Sequence, residues 1–374
     1  MVDAAAVASL SADRARLVVQ VWLGSRLVLV LAALWFALTT GRTATEMLAN
    51  WDVQHFFRIA EDGYAHANDV AFFPGWPLLL RLFSSLGVPM LVAGVALSVL
   101  GSALAAWALY RLGGALPAVA WLLVPTTVFT LVPYTESVVC AAAFWAWQKA
   151  SIGRWPAAAS LAALACSVRI SGLFLVVALA VLALTGDRAA AVRPRVIRLG
   201  WLLLPTAIIG AYVLYLYATT GSWTAWYDAQ AAGWSRGFTW PWVSFQHTLD
   251  AAMSGSYPDH PEWSLVFRAE LFSMLIGGLV TAICLLRRRW AEATWVGSQV
   301  LAFATSYWFI SVNRAVLLWF PLFLLIGELF RARWWDASPL RQGSRVLLIA
   351  GLVTGATWTS WSWCWLFFTG RWAS

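Results

Sequence analysis

Residues Ala49 to Leu80 read A-N-W-D-V-Q-H-F-F-R-I-A-E-D-G-Y-A-H-A-N-D-V-A-F-F-P-G-W-P-L-L-L, a polar and aromatic stretch that interrupts an otherwise apolar chain. Asp52, His55, Arg58, Glu61, Asp62 and Asp69 stand here among Trp51, Phe56, Phe57, Tyr64, Phe72, Phe73 and Trp76. A connection between two membrane helices can be short and bland, so a long loop of this composition points to function. Asn50 suits an N-cap, Asp52 then falls in the first helical turn, and Phe56, Ile59 and Ala60 recur at helical spacing until Gly63. The spacing predicts a short amphipathic helix at the membrane interface, with Asp52, His55, Ile59 and Asp62 sharing one face. Phe73-Pro74-Gly75-Trp76-Pro77 ends it before the next apolar run.

Working outward, 61% hydrophobic and 11% charged residues over 374 positions, with a mean hydropathy of +0.73, exclude a soluble globule. The formal charge of +8 would suggest nucleic acid in a soluble protein. Here the basic residues lie between hydrophobic runs and act as topology signals. Cys140, Cys166, Cys284 and Cys364 all fall in apolar segments without ligand spacing, so packing is their expected role. The first apolar run lacks a small-residue cleavage site after it and reads as a retained helix. Lys149 is the sole lysine, an arginine usage that points to a GC-rich bacterial genome.

About 20 apolar residues cross a bilayer, and on that rule the chain divides into about eleven spans. They lie near 17–39, 88–110, 115–133, 135–150, 155–170, 172–186, 199–220, 264–286, 290–310, 315–330 and 345–368. The expected fold is therefore an all-α polytopic integral membrane protein, one transmembrane domain over 1–374, with long outer loops at 40–87 and 221–263. With the N-terminus inside, about 16 basic residues, among them Arg14, Arg16, Arg111, Lys149, Arg188 and Arg287 to Arg289, fall on the inner side. The acids of the opening stretch then face outward, at the surface of a bacterial plasma membrane.

Ionisable groups in spans are costly and need partners, cavities or a route to the surface. V-P-Y-T-E-S places Glu136 at the start of a span, V-R-I-S-G places Arg169 at the end of another, and S-V-N-R places Asn313 and Arg314 at the mouth of the tenth. All three segments come to the face that carries Asp52. Guanidinium forks suit phosphate. Arg26 and Glu328 read as structural, by snorkelling or pairing. No Walker A loop, H-E-x-x-H, Cys/His cluster or G-x-S-x-G is present, which argues against an ATP-driven pump, a zinc enzyme and a serine hydrolase. A secondary transporter or flippase for a lipid-linked sugar is the alternative class, although it would be expected to show internal repeats and charges near the midplane.

W-D-V-Q-H-F, I-A-E-D-G-Y and A-F-F-P-G-W-P-L-L resemble the PIG-V-like GPI mannosyltransferase II family of GT-C polytopic glycosyltransferases. P-T-T-V-F with P-Y-T-E-S, R-I-S-G, N-R with its downstream F-P, and the terminal F-F-T-G-R-W follow in the family's order. The resemblance implies a GT-C bundle that transfers mannose from a polyprenyl-phosphate-mannose donor with inversion. The class's loop-one acid falls on Asp52, but no D-x-D or E-x-D pair stands there, so Glu136, Glu61 and Asp62 compete as the second acid. In a bacterium the acceptor would be another mannosylated lipid or a wall polysaccharide rather than GPI.

On this reading Asp52 is the general base, and His55 orients it or touches the sugar. Arg169 and Arg314, with Asn313, hold the donor phosphate. Trp51, Tyr64, Phe73, Trp76 and Tyr134 are expected to line the substrate site, and Trp223, Trp226, Tyr227, Trp240 and Trp242 to shape the acceptor cleft. No cofactor is called for; two arginines could serve in place of a divalent metal, which stays an open alternative.

Overall fold

The structure, a computed structural model, describes residues 4–186 and 191–373, so Arg188 lies outside the described residues. Among those residues the architecture is helical throughout, with one isolated antiparallel bridge, Phe238 to Ser306. Four helices are long and apolar enough to cross a membrane: Ala12–Thr40, Met90–Gly113, Val192–Thr220 and Pro261–Leu286. A fifth follows if Val312–Leu318 and Phe320–Ala337, bent by 66°, count as one broken span.

The eleven expected segments fall on helices, yet most are too short to qualify. Glu136–Ser151, Trp155–Val168, Ser171–Thr185 and Trp290–Ala304 have 16, 14, 15 and 15 residues. The segment at 115–133 divides into Ala115–Leu122 and a 3-10 turn over Pro125–Thr130. Polar motifs cut these helices short, at Tyr134 to Glu136 and at Arg169 to Ser171, where a continuous helix would have carried the charges into hydrocarbon.

Small residues let the short helices pack backbone to backbone. Ala105, Ala108, Ala142, Ala146, Ala158, Ala162 and Ala165 are buried. A Cβ on Gly101 would stand 2.9 Å from the Ser137 carbonyl carbon, and one on Gly172 would stand 2.5 Å from the Cys166 Cα. The first span, by contrast, leaves Leu23, Leu27, Leu31 and Leu38 exposed, as a lipid-facing helix would. Arg26 does not snorkel: its Nη1 donates to the Thr130 carbonyl at 2.9 Å and the Thr130 hydroxyl at 2.7 Å. Glu328 accepts from Arg287 and Arg289.

The predicted amphipathic helix forms over Asp52–Asp62 and stops at Gly63, φ 74°. Its start differs from expectation. Trp51 precedes the helix, at φ 56° and ψ −122°, whereas the Asn50 amide donates to the Met47 and Phe367 carbonyls, both at 2.9 Å. The turn is held by the end of the last helix, Pro339–Phe368, and the residues after it. The Trp51 indole donates to the Arg371 carbonyl at 3.1 Å, and Arg42 to that of Phe368 at 3.2 Å. Neighbouring elements thus replace the local side-chain cap that the sequence suggested.

Candidate active site

The four polar groups singled out from distant segments meet in one ion-pair chain. Arg314 Nη1 donates to Asp52 Oδ2 at 2.8 Å and lies 3.6 Å from Glu136 Oε1. Arg169 Nη1 donates to that same Glu136 oxygen at 2.6 Å and to the Thr135 hydroxyl at 3.3 Å. Asp52 comes from the first helical turn after Trp51, Glu136 from a helix start, Arg169 from an extended residue between two short helices, and Arg314 from the broken span.

Each piece has a local cause. Ser311 stands in the left-handed region at φ 67°, and its N–H and that of Asn313 donate to the buried Glu270 carboxylate, both at 2.9 Å. That turn lets Arg314 Nη2 reach the Ser311 hydroxyl at 3.0 Å. The guanidinium carbon sits 5.4 Å from the Phe129 ring centre and 5.3 Å from that of Tyr134, within cation–π range. The Asp52 N–H donates to the Tyr134 hydroxyl at 3.3 Å. Two residues with positive φ, Trp51 and Ser311, flank the Asp52–Arg314 pair from either chain segment, and strain of this kind gathers at functional sites.

Asp52, Arg169 and Arg314 open onto a solvent-connected cleft of about 550 Å³, walled also by Phe56, Phe72, Phe73, Thr135, Gln230, Trp234 and Arg236. Burial alone would raise the Asp52 carboxyl, but the Arg314 guanidinium, with smaller help from Arg169 and His55, holds it below its ordinary value. It is therefore ionised at neutral pH. Glu136 lies behind the cleft wall, 1% exposed, and is the inner counter-ion of Arg169. Arg169 and Arg314 are thus paired with two carboxylates, while Arg236, the third guanidinium of the wall, feels Asp52 and Glu270 only at longer range. Among the described residues no three His, Cys, Asp or Glu side chains are grouped to hold a metal ion.

Other expected site residues fall elsewhere. His55 makes no hydrogen bond to Asp52. Its Nδ1 lies 2.9 Å from Asp69 Oδ1 and 2.8 Å from Arg58 Nη2, and its ring stacks on Phe72 with centres 4.8 Å apart. Asp69 is fully buried and holds Arg58 Nε at 3.0 Å, so this triad braces the lip of the cleft. Glu61 and Asp62 are exposed and line no part of the cleft. Trp76 is buried, its indole donating to the Pro133 carbonyl at 3.2 Å, and Tyr64 donates to the Phe72 carbonyl at 2.8 Å. Asn313 turns away, accepting the Ser273 hydroxyl at 2.8 Å. Phe73 is in the wall, and Tyr134 lies beneath Arg314.

The loop at 221–263 contributes Trp234, Arg236 and Gln230 rather than the tryptophans expected of it. Trp223 stacks on Tyr217, Trp240 on Trp242, and the Trp226 indole donates to the Ala71 carbonyl at 3.1 Å. Their energy goes into shaping the loop. The only sequence signal for Arg236 was its place among aromatics in G-W-S-R-G-F.

Residues 31–187 match the family described as Mannosyltransferase (PIG-V). Over that stretch the chain is PIG-V-like. It is 35% identical over 145 residues to the protein named GPI alpha-1,6-mannosyltransferase 2 of Mus musculus, in an alignment that takes in 34% of this chain and 29% of the mouse protein. The Rattus norvegicus protein of that name is 36% identical, covering 34% and 30%, and the Homo sapiens one 33% identical, covering 34% and 29%. The alignments thus span less than a third of these relatives' length. The PIG-V-like stretch contains Asp52, Glu136 and Arg169, while Arg236 and Arg314 lie beyond it.

Proposed function

We propose that the chain is a membrane mannosyltransferase that moves mannose from a polyprenyl-phosphate-mannose donor to a hydroxyl of a lipid-linked or glycan acceptor. The observation that carries this reading is the ionised Asp52 carboxylate held at the wall of an aromatic cleft by a guanidinium chain. The names of the PIG-V-like relatives support the sugar. The acceptor oxygen attacks the anomeric carbon while its proton passes to Asp52. The bond from that carbon to the phosphate oxygen breaks, and its electron pair leaves with the phosphate. The donor phosphodiester carries one negative charge and the released monoester gains a second. Arg169 and Arg314 face that developing charge in a desolvated site, where electrostatic stabilisation is strongest.

Asp52 is the sole carboxylate among the cleft-lining residues, which supports direct displacement with inversion. A low carboxyl pKa suits an oxocarbenium-like transition state, in which the attacking hydroxyl becomes acidic late. The positive-inside count supports an extracytoplasmic cleft, and the arginine usage supports a bacterial plasma membrane. The test is incubation of the purified protein with a panel of polyprenyl-phosphate sugars and extracted membrane lipids, with products read by mass spectrometry. Mannose transfer to a lipid or glycan is expected. Absence of transfer from every donor, or movement of intact donor across vesicles without transfer, overturns the assignment.

A further inference from the structure

The three guanidiniums of the cleft divide into two that are ion-paired and one that is not. The Arg314 Nη1 and Nη2 are engaged by Asp52 and Ser311, its Nε alone lacking a partner, and Arg169 is tied to Glu136 and Thr135. Arg236 differs. It follows the helix Ala225–Trp234 through Ser235, which stands at φ 52°. Its Nη2 makes one long bond, 3.4 Å, to the Ile310 carbonyl, and its guanidinium carbon lies 6.0 Å from the Phe303 ring centre. Its Nε is buried with no partner. Asp52 and Glu270 act on it only from further off, and each is bonded elsewhere. Burial, and then the Arg314 and Arg169 charges, bring it down to about 10, the signature of a cation short of an anion.

A cation that lines the cleft without an ion-pair partner, beside two that are paired, is the group left to meet an anion there, and a phosphodiester carries one negative charge. We infer that Arg236, at the loop side of the cleft, receives the phosphate of the lipid donor, and that Arg314 serves chiefly as the organiser of Asp52. This rests on the polyprenyl-phosphate reading above. Arg236 offers two free donor directions, at Nε and at the rest of its fork, which is the geometry of bidentate phosphate binding. The Arg236 N–H donates to the Gln230 carbonyl at 3.2 Å, and Gln230 and Trp234 line the same wall, which fixes where the loop presents it.

The experiment compares wild type, Arg236→Gln and Arg236→Lys in lipid nanodiscs. It measures binding of a polyprenyl monophosphate and of the matching phosphate-free polyprenol, KM and kcat for the mannosyl donor, and the ligand-free thermal midpoint. Arg236→Gln is expected to weaken polyprenyl-phosphate binding and raise donor KM by roughly ten- to a hundredfold, the worth of one charge-assisted bond. Arg236→Lys recovers part of the loss. Polyprenol binding stays unchanged, and the ligand-free midpoint stays level or rises, because an underpaired buried charge has been removed. Phosphate binding within threefold of wild type, or a fallen ligand-free midpoint that accounts for the loss, overturns the inference. A wild type that binds no polyprenyl phosphate and transfers no sugar overturns the underlying mannosyltransferase reading, a result separable from the first two.

Discussion

Asp52→Asn replaces one carboxylate oxygen with an NH2 group in a side chain that reaches Arg314 at 2.8 Å, and the surroundings set what it should do. The asparagine carbonyl can still accept from Arg314, which keeps the Ser311 hydroxyl at 3.0 Å and Glu136 at 3.6 Å, so no buried cation is orphaned. The structural loss is the difference between a charged and a neutral acceptor, about 1–2 kcal/mol, and the fold should survive. The chemical loss is larger. General-base assistance contributes roughly 10²- to 10⁴-fold, about 3–5 kcal/mol of barrier, and an amide supplies none of it. The assay is steady-state transfer from polyprenyl-phosphate-mannose, with donor affinity and thermal unfolding measured on the same preparation. Turnover should fall by two orders of magnitude or more with donor affinity near wild type. Turnover within tenfold of wild type in a folded variant would refute Asp52 as the base.

Because Arg314 holds the Asp52 carboxyl below its ordinary 3.8, activity that depends on the ionised form should persist above 3.8 and fade only as pH drops through the lower folded value. In Arg314→Gln burial is left to act on Asp52 with only weaker opposition, so the acid limb of kcat/KM should move upward; an unmoved limb would dissociate the pair. At position 51 the usual order should reverse, with Trp51→Gly more stable than Trp51→Ala by about 1–3 kcal/mol, since φ 56° with ψ −122° is strained for any side chain. Equal melting of the two variants would argue against strain there. Gly172→Ala should cost about 1–3 kcal/mol in thermal unfolding, because its Cβ would press on the Cys166 backbone at 2.5 Å and push the turn that carries Arg169. Wild-type stability in that variant would mean the turn yields freely.

The sequence disclosed what periodicity and cost can disclose. Helical spacing ending in a glycine placed Asp52–Asp62 closely, and the expense of burying ions marked Glu136, Arg169 and Arg314 as groups that had to find one another. Other features depend on neighbours distant in the chain. Asn50 could not be told from a cap without the Phe367 carbonyl that claims its amide. His55 could not be assigned to Asp69 rather than Asp52, because Asp52 lies one helical turn before it and only the fold of 67–72 brings Asp69 inward. Arg236 sits in a loop with no periodic signal, and its importance comes from what it fails to touch. Four of the eleven expected spans coincide with helices long and apolar enough to cross a membrane, because helix breaks at polar motifs leave no mark in a composition window.

The ion cluster also has an uneven provenance along the chain. The two carboxylates that pair Arg169 and Arg314 arise before residue 188, inside the stretch that matches the PIG-V family, and two of the three cations arise after it. A chimaera that keeps the first part and exchanges the second should stay foldable and catalytic only if the graft restores matching positive groups. Under the proposed function, grafts that differ in the loop around 236 would then offer a route to retuning which lipid carrier is accepted, with the chemistry of bond exchange left in place.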